Sequence, residues 1–152
     1  MGYGALVSFE HDFIGREALV ERKKTQKRRK MTLIWNNDDV FRVMQNALRT
    51  DGPRSKFISL PVPMYSSFQA DQVLVGGKPA GVSNWMSYSS NAGAILSTAL
   101  MDLEHCELGK EVTVLWGEPN TQRRTVEAHE LSEIRATIAP VPYFDKTIKK
   151  DE

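Results

Sequence analysis

A chain of 152 residues, 41% hydrophobic and 26% charged, has the make-up of one globular domain that can bury about two-thirds of its unfolded surface. With 20 Lys and Arg against 19 Asp and Glu, the net charge is +1, and bulk electrostatics make no case for nucleic acid or a membrane as partner. The single cysteine, Cys106, excludes an intrachain disulfide framework and suits a reducing cytoplasm, no apolar run is long enough to span a bilayer, and the opening residues lack the pattern of a secretory signal.

Gly2 to Glu10 suits an extended arm or entry strand. A helix is expected over about 16–24, with Gly15 at its N-cap, Glu17 in the first turn, and Phe13, Ile14 and Leu19 anchoring it to a core. Arg22 to Lys30 follows, with seven basic residues in nine. Such a run can bind phosphates, but the balanced charge and the absence of interleaved aromatics favour a solvated helix end. Residues 31–35 alternate as a strand with Met31, Leu33 and Trp35 on one face. Asn36 to Asp39 then caps a helix over about 38–49, with Val40, Phe41, Met44, Ala47 and Leu48 as its apolar stripe and Asp51-Gly52-Pro53 as its stop. Pro61 and Pro63 confine the next segment to extended or edge conformations, and Tyr65 to Phe68 suits a short strand.

An antiparallel meander over about 72–76, 81–88 and 94–101 forms the centre of the chain. Gly76-Gly77 marks its first turn, and Pro79, which cannot donate to a ladder, predicts a loop longer than two residues. Leu103 to Glu107 reads as a loop and Leu108 to Glu111 as a turn. Residues 112–116 form a clear strand with Val112, Val114 and Trp116 inward, and two last strands are expected at 124–129 and 134–138. The fold class is therefore α+β, β-rich: an antiparallel six- to seven-stranded β-barrel with an N-terminal helix and one inserted helix. An arm and helix over 1–30 lead into the barrel at 31–144, and a charged tail over 145–152 is expected to fray.

Several strings resemble a known family. Asp12-Phe13-Ile14-Gly15-Arg16-Glu17-Ala18-Leu19 is similar to the element that precedes the C-terminal barrel of the glycine-cleavage T-protein family, the folate-dependent aminomethyltransferases. Gly77, Gly81, Val82 and Ser83, the strand Ile95 to Met101, and Gly109 with Val112 match that barrel. The inserted helix departs from the simpler members. It resembles the vanillate/syringate O-demethylase branch, as do Leu115-Trp116-Gly117-Glu118-Pro119, Val126-Glu127 with His129, Ile134-Arg135-Ala136, and Pro140 with Pro142-Tyr143. The resemblance runs from about Asp12 to Tyr143 and covers only the tail of such an enzyme.

It implies a C-terminal domain of a tetrahydrofolate-dependent methyl or aminomethyl transferase. In the complete enzyme a methyl group passes from an aryl methyl ether to tetrahydrofolate. The family's pterin-holding and catalytic segments lie before the Asp12 element, so no catalytic residue is assigned, and this chain alone is expected to hold no cofactor and to be inactive. The implied partner is the N-terminal folate-binding region or a protein replacing it. Pocket-border candidates are Trp85 and Tyr88, which can stack on a flat ring, Asn91, which can hydrogen-bond, and Arg135, which can meet a carboxylate. The structural alternative is that the aromatics fill the barrel and that Arg135 is a surface cation. His11, His105 and His129 lack metal-ligand spacing, the serines lack a nucleophile elbow, and Gly76-Gly77 lacks the Lys of a phosphate loop. Two further readings stand beside the enzyme domain: a free-standing binding or assembly module with the same barrel, and a nucleic-acid binder using residues 22–30.

Overall fold

The computed structural model describes residues 7–60, 70–124 and 126–144. Six antiparallel strands close into a barrel in the order β1-β4-β3-β2-β5-β6: β1 Arg28–Trp35, β2 Asp71–Val75, β3 Lys78–Ser89, β4 Ala94–Asp102, β5 Glu111–Trp116 and β6 Ser132–Ala139. Helix α1, Arg16–Lys24, leads into β1, and helix α2, Asn37–Ala47, follows it. The expected barrel with two helices is therefore present. The predicted entry strand falls largely on residues 1–6, and these, the short strand at 65–68 and the tail at 145–152 lie outside the described residues.

Alternation supplies the core. Met31, Leu33 and Trp35 of β1 point inward as expected, as do Val112, Val114 and Trp116 of β5 and Ile134, Ala136 and Ile138 of β6. Trp35 and Trp116 fill the interior with ring centroids 5.8 Å apart at 70°, an edge-to-face pair. The Trp35 indole N–H donates to Ser97 Oγ at 2.9 Å, and Ser83 Oγ donates to the same oxygen at 2.8 Å, so the two buried serines are satisfied. Gly81 is required where β3 crosses β4, since a Cβ there would lie 2.6 Å from the Leu100 carbonyl oxygen and 2.7 Å from Met101 Sδ.

Five expectations need correction. Gly76-Gly77 is a two-residue turn, both residues having positive φ (57° and 76°), with Val75 opposite Lys78. Pro79 sits inside β3 opposite Leu74, where the register shifts and where pairing to β4 has not yet begun, so its missing N–H leaves no gap in a ladder. The described residues of 124–129 form no strand, and β5 pairs directly with β6 from Trp116 opposite Ser132. The basic run does not simply end a helix: Arg22 to Lys24 close α1, whereas Arg28 to Lys30 open β1, with Arg28 on Asp102 at 2.8 Å. No residue of α1 is buried, and Ile14 and Leu19 are exposed, so α1 is not anchored to the barrel core. In α2 the apolar residues split, Val40 and Val43 facing the barrel and Phe41 and Leu48 facing solvent.

Candidate functional site

The strand registers place the β1–α2 junction, the turn 90–93 between β3 and β4, and the loop 117–131 between β5 and β6 at one end of the barrel. This end is the upper rim. Helix α2 lies across it. Asn36 caps the helix by accepting from the Asp39 N–H at 3.0 Å, and the Asn37 side-chain amide donates to the Gly93 carbonyl at 3.0 Å. Asp39 is buried in the first turn. It accepts from the Arg135 backbone N–H at 2.9 Å, from Arg135 Nε at 2.8 Å and from Arg42 at 3.2 Å. The Arg135 hydrogen bond outweighs burial and holds the Asp39 carboxyl far below the usual carboxylate range, while Asp39 in turn raises the Arg135 guanidinium.

A second polar cluster adjoins α2 on the same rim, where Asn46 Oδ1 accepts from Ser55 Oγ at 2.9 Å and Ser132 Oγ donates to Ser55 Oγ at 2.7 Å. Residues 54–58 run beside the β5–β6 loop, with a parallel bridge between Ser55 and Glu130 and with Ile58 in the core. The Trp116 indole donates to the Lys56 carbonyl at 2.8 Å, and Lys56 Nζ lies 5.4 Å from the centre of that ring. Lys56 and Arg123 both hold the Glu118 carboxylate. Burial pushes that carboxyl up, but the hydrogen bonds from Lys56 and Arg123 prevail and lower it. The Glu127 carboxylate accepts the Phe57 N–H at 3.0 Å, which lowers it in the same way. His129 Nε2 accepts the Glu118 N–H at 2.7 Å, and its Nδ1 lies 2.7 Å from the Glu127 carbonyl. Those two partners require a neutral ring protonated at Nδ1.

The sequence candidates divide between two walls. Trp85, Tyr88 and Asn91 lie on the β3–β4 hairpin at the upper rim. Trp85 stands at a bulge between Asn84 and Ser87 with φ at 50°, and it is 45% exposed, with Tyr88 57% exposed. They do not fill the barrel interior, since Trp35 and Trp116 occupy that space. Arg135 lies on β6, on the far side of the closed strand order, and is not brought together with the hairpin. Its guanidinium already has an anion in Asp39. Among the described residues no three His, Cys, Asp or Glu side chains come together as a metal ion would require, and no helix is long and apolar enough to cross a membrane.

Lys56 and Arg123 had no signal in the sequence, and Asp39 had one only as part of a helix cap, because their clusters join residues far apart along the chain. Glu118 and His129 stood out there only within the strings that resemble the O-demethylase branch.

No family model matches the chain. It is similar to part of a syringate O-demethylase. That protein, from Sphingobium sp. (strain NBRC 103272 / SYK-6), is 46% identical over 145 residues, which is 94% of this chain and 31% of the relative. A sesamin methylene transferase from Sinomonas sp. (strain No.22) is 34% identical over 154 aligned positions, covering 95% of this chain and 32% of that protein. The chain thus spans about a third of the length of the curated relatives it matches.

Proposed function

We propose that this chain acts as the barrel domain of a tetrahydrofolate-dependent methyl or methylene transferring enzyme of the aryl O-demethylase kind, placed in the cytoplasm. The observation that carries the reading is 46% identity to the Sphingobium syringate O-demethylase over 94% of the chain, at 31% of that protein's length. One-carbon acceptance is the chemistry tetrahydrofolate supplies when bound. The work left to this domain is to border the pocket, orient its occupants and exclude water.

The rim fits that share. Trp85 and Tyr88 expose aromatic surface on one hairpin, where a flat ring can stack, and Asn91 in the adjoining turn offers an amide. Arg135 contributes a cation whose charge is shared with Asp39. A border of this kind holds few contacts against the full entropy of association, so the isolated chain does not hold the folate on its own. No catalytic residue is assigned to it.

The test is a chimera in which this chain replaces the matching third of the Sphingobium enzyme. The chimera demethylates syringate in a tetrahydrofolate-dependent way, while the isolated chain shows neither activity nor micromolar folate binding by calorimetry. A folded chimera without activity, or tight folate binding by the chain alone, refutes the reading.

A further inference from the structure

Helix α2 and its C-cap carry large apolar side chains beyond the buried face. Val40 and Val43 are buried against the barrel, yet Phe41 is 72% exposed and Leu48 is 70% exposed. Phe41 and Leu48 are seven positions apart, two helical turns, so they share a face with Gln45 between them, while Met44 beside them packs against the core. That strip carries no charge. The neighbouring cations turn away from it, Arg42 to Asp39 and the Glu133 carbonyl, and Arg49 to Asp51 at 3.6 Å. The outer side of α2 is otherwise polar, with Asp38, Arg42 and Gln45 exposed, so two large apolar side chains uncovered on one strip stand out as a contact surface.

Resting on the reading above, we infer that the outer face of α2, with the adjoining β3–β4 turn, is the seat of the remaining polypeptide of an enzyme of the relatives' kind. Three observations choose this occupant. The relatives continue well beyond the region matched, which is 31% and 32% of their lengths. Helix α1 also lacks any buried residue and exposes Ile14 and Leu19. Nine residues are too few for a helix to be stable alone; α1 leans on the arm before it, through Arg16 to the Phe9 carbonyl at 2.8 Å and Lys23 over the Phe9 ring, and leaves Ile14 and Leu19 as a second exposed apolar surface. Finally, the strip from Phe41 to Leu48 is about 10 Å long, too small for the roughly 800 Å² per partner of a stable association between free chains. For a segment of the same polypeptide a small patch suffices, because tethering keeps its effective concentration high.

The absence of charge argues against nucleic acid and an anionic membrane, which select Lys and Arg. The placement also has a consequence for the site. Asn37, one turn before Phe41 on the same face, is bonded to Gly93, so the docked region would meet the turn that carries Asn91.

The experiment compares Phe41→Gln with Leu48→Gln, combined, in the isolated chain and in the syringate O-demethylase chimera. Gln keeps helix propensity while removing the apolar surface. The isolated variant keeps its melting temperature within about 2 °C, as exposed sites do, and the chimera loses about 5 °C or more. An unchanged chimera overturns the inference and leaves the parent reading intact. An equal loss in the isolated chain overturns it by making the strip part of the domain's own core. A dimer of the isolated chain by light scattering, abolished by the substitutions, overturns it by making a second copy the occupant. A wild-type chimera that folds but does not demethylate sinks the parent reading and the inference with it.

Discussion

Replacing Asp39 by Asn tests whether charge or mere hydrogen bonding locks α2 to the barrel. The carboxylate is buried and accepts from Arg135 at 2.8 and 2.9 Å and from Arg42 at 3.2 Å. Hydrogen bonds to charged groups contribute about 1.5–3 kcal/mol each, but the arginine side chains are about half exposed and rehydrate when the anion goes. The net loss for Asp39→Asn is therefore about 2 kcal/mol, or a fall of about 4–8 °C in melting temperature for a domain of this size. The folded-state pKa lies far below the unfolded value of about 3.9, so the contribution is complete above about pH 5 and declines as pH falls, the unfolded chain taking up the proton first. At pH 3 about 1.3 kcal/mol of it is gone. Urea denaturation of both proteins at pH 7 and pH 3 checks this, and the gap between them must shrink at the lower pH. A gap that is equal at both values shows that the ion pair is irrelevant, and no gap at pH 7 shows that Asp39 does not hold the helix.

The other expectations concern the barrel. Gly81→Ala puts a methyl group against a backbone carbonyl at 2.6 Å, which the β3–β4 ladder cannot yield, so it costs about 1–3 kcal/mol by chemical denaturation; a neutral result means the strands can part there. Trp116→Ala removes a buried indole, its edge-to-face contact with Trp35 and its hydrogen bond to the Lys56 carbonyl, costing about 3–5 kcal/mol and leaving little folded protein; a near-native midpoint contradicts the core as described. Arg28→Glu with Arg29→Glu changes exposed side chains and loses one half-exposed ion pair to Asp102, so the melting free energy moves by about 1 kcal/mol or less, and a larger loss shows that the basic run is packed.

Local chemistry made much of the barrel legible. Val112, Val114 and Trp116 alternate with polar or half-buried neighbours, and the period of two puts them inside without reference to any other strand. Helix α1 was legible from its first-turn Glu17 and basic last turn, but its anchoring was not. Phe13, Ile14 and Leu19 show that the segment has an apolar side, and nothing in that pattern says whether the covering body lies in the same domain. The error over α2 is of the same kind. Val40, Phe41, Met44 and Leu48 fit one wide stripe at helical spacing, and only the packed barrel shows that the stripe is divided between two faces. Strand order was beyond local reasoning, because pairs such as Arg28 with Asp102 and Thr32 with Ala139 depend on closure of the whole sheet.

The rim was legible only as residue types. The sequence left Trp85 between a pocket border and a filler of the barrel, and a bulge at that residue takes it off the inward alternation that places Ser83 and Met86. Arg135 looked like a companion to the hairpin aromatics, yet the closed strand order puts it on the opposite wall. Helix α2 spans the distance: Asn37 fastens one part of its first turn to Gly93 beside the hairpin, and Asp39 fastens another to Arg135. Each wall is thus fixed relative to the other through a single helical turn capped by Asn36, itself bonded through its N–H to the Arg135 carbonyl at 2.8 Å. A body seated on the outer face of α2 would therefore bear on both walls at once. The residues that set the rim's geometry are accordingly Asn36, Asn37 and Asp39, while the aromatic side chains that the sequence brought forward are what that geometry presents.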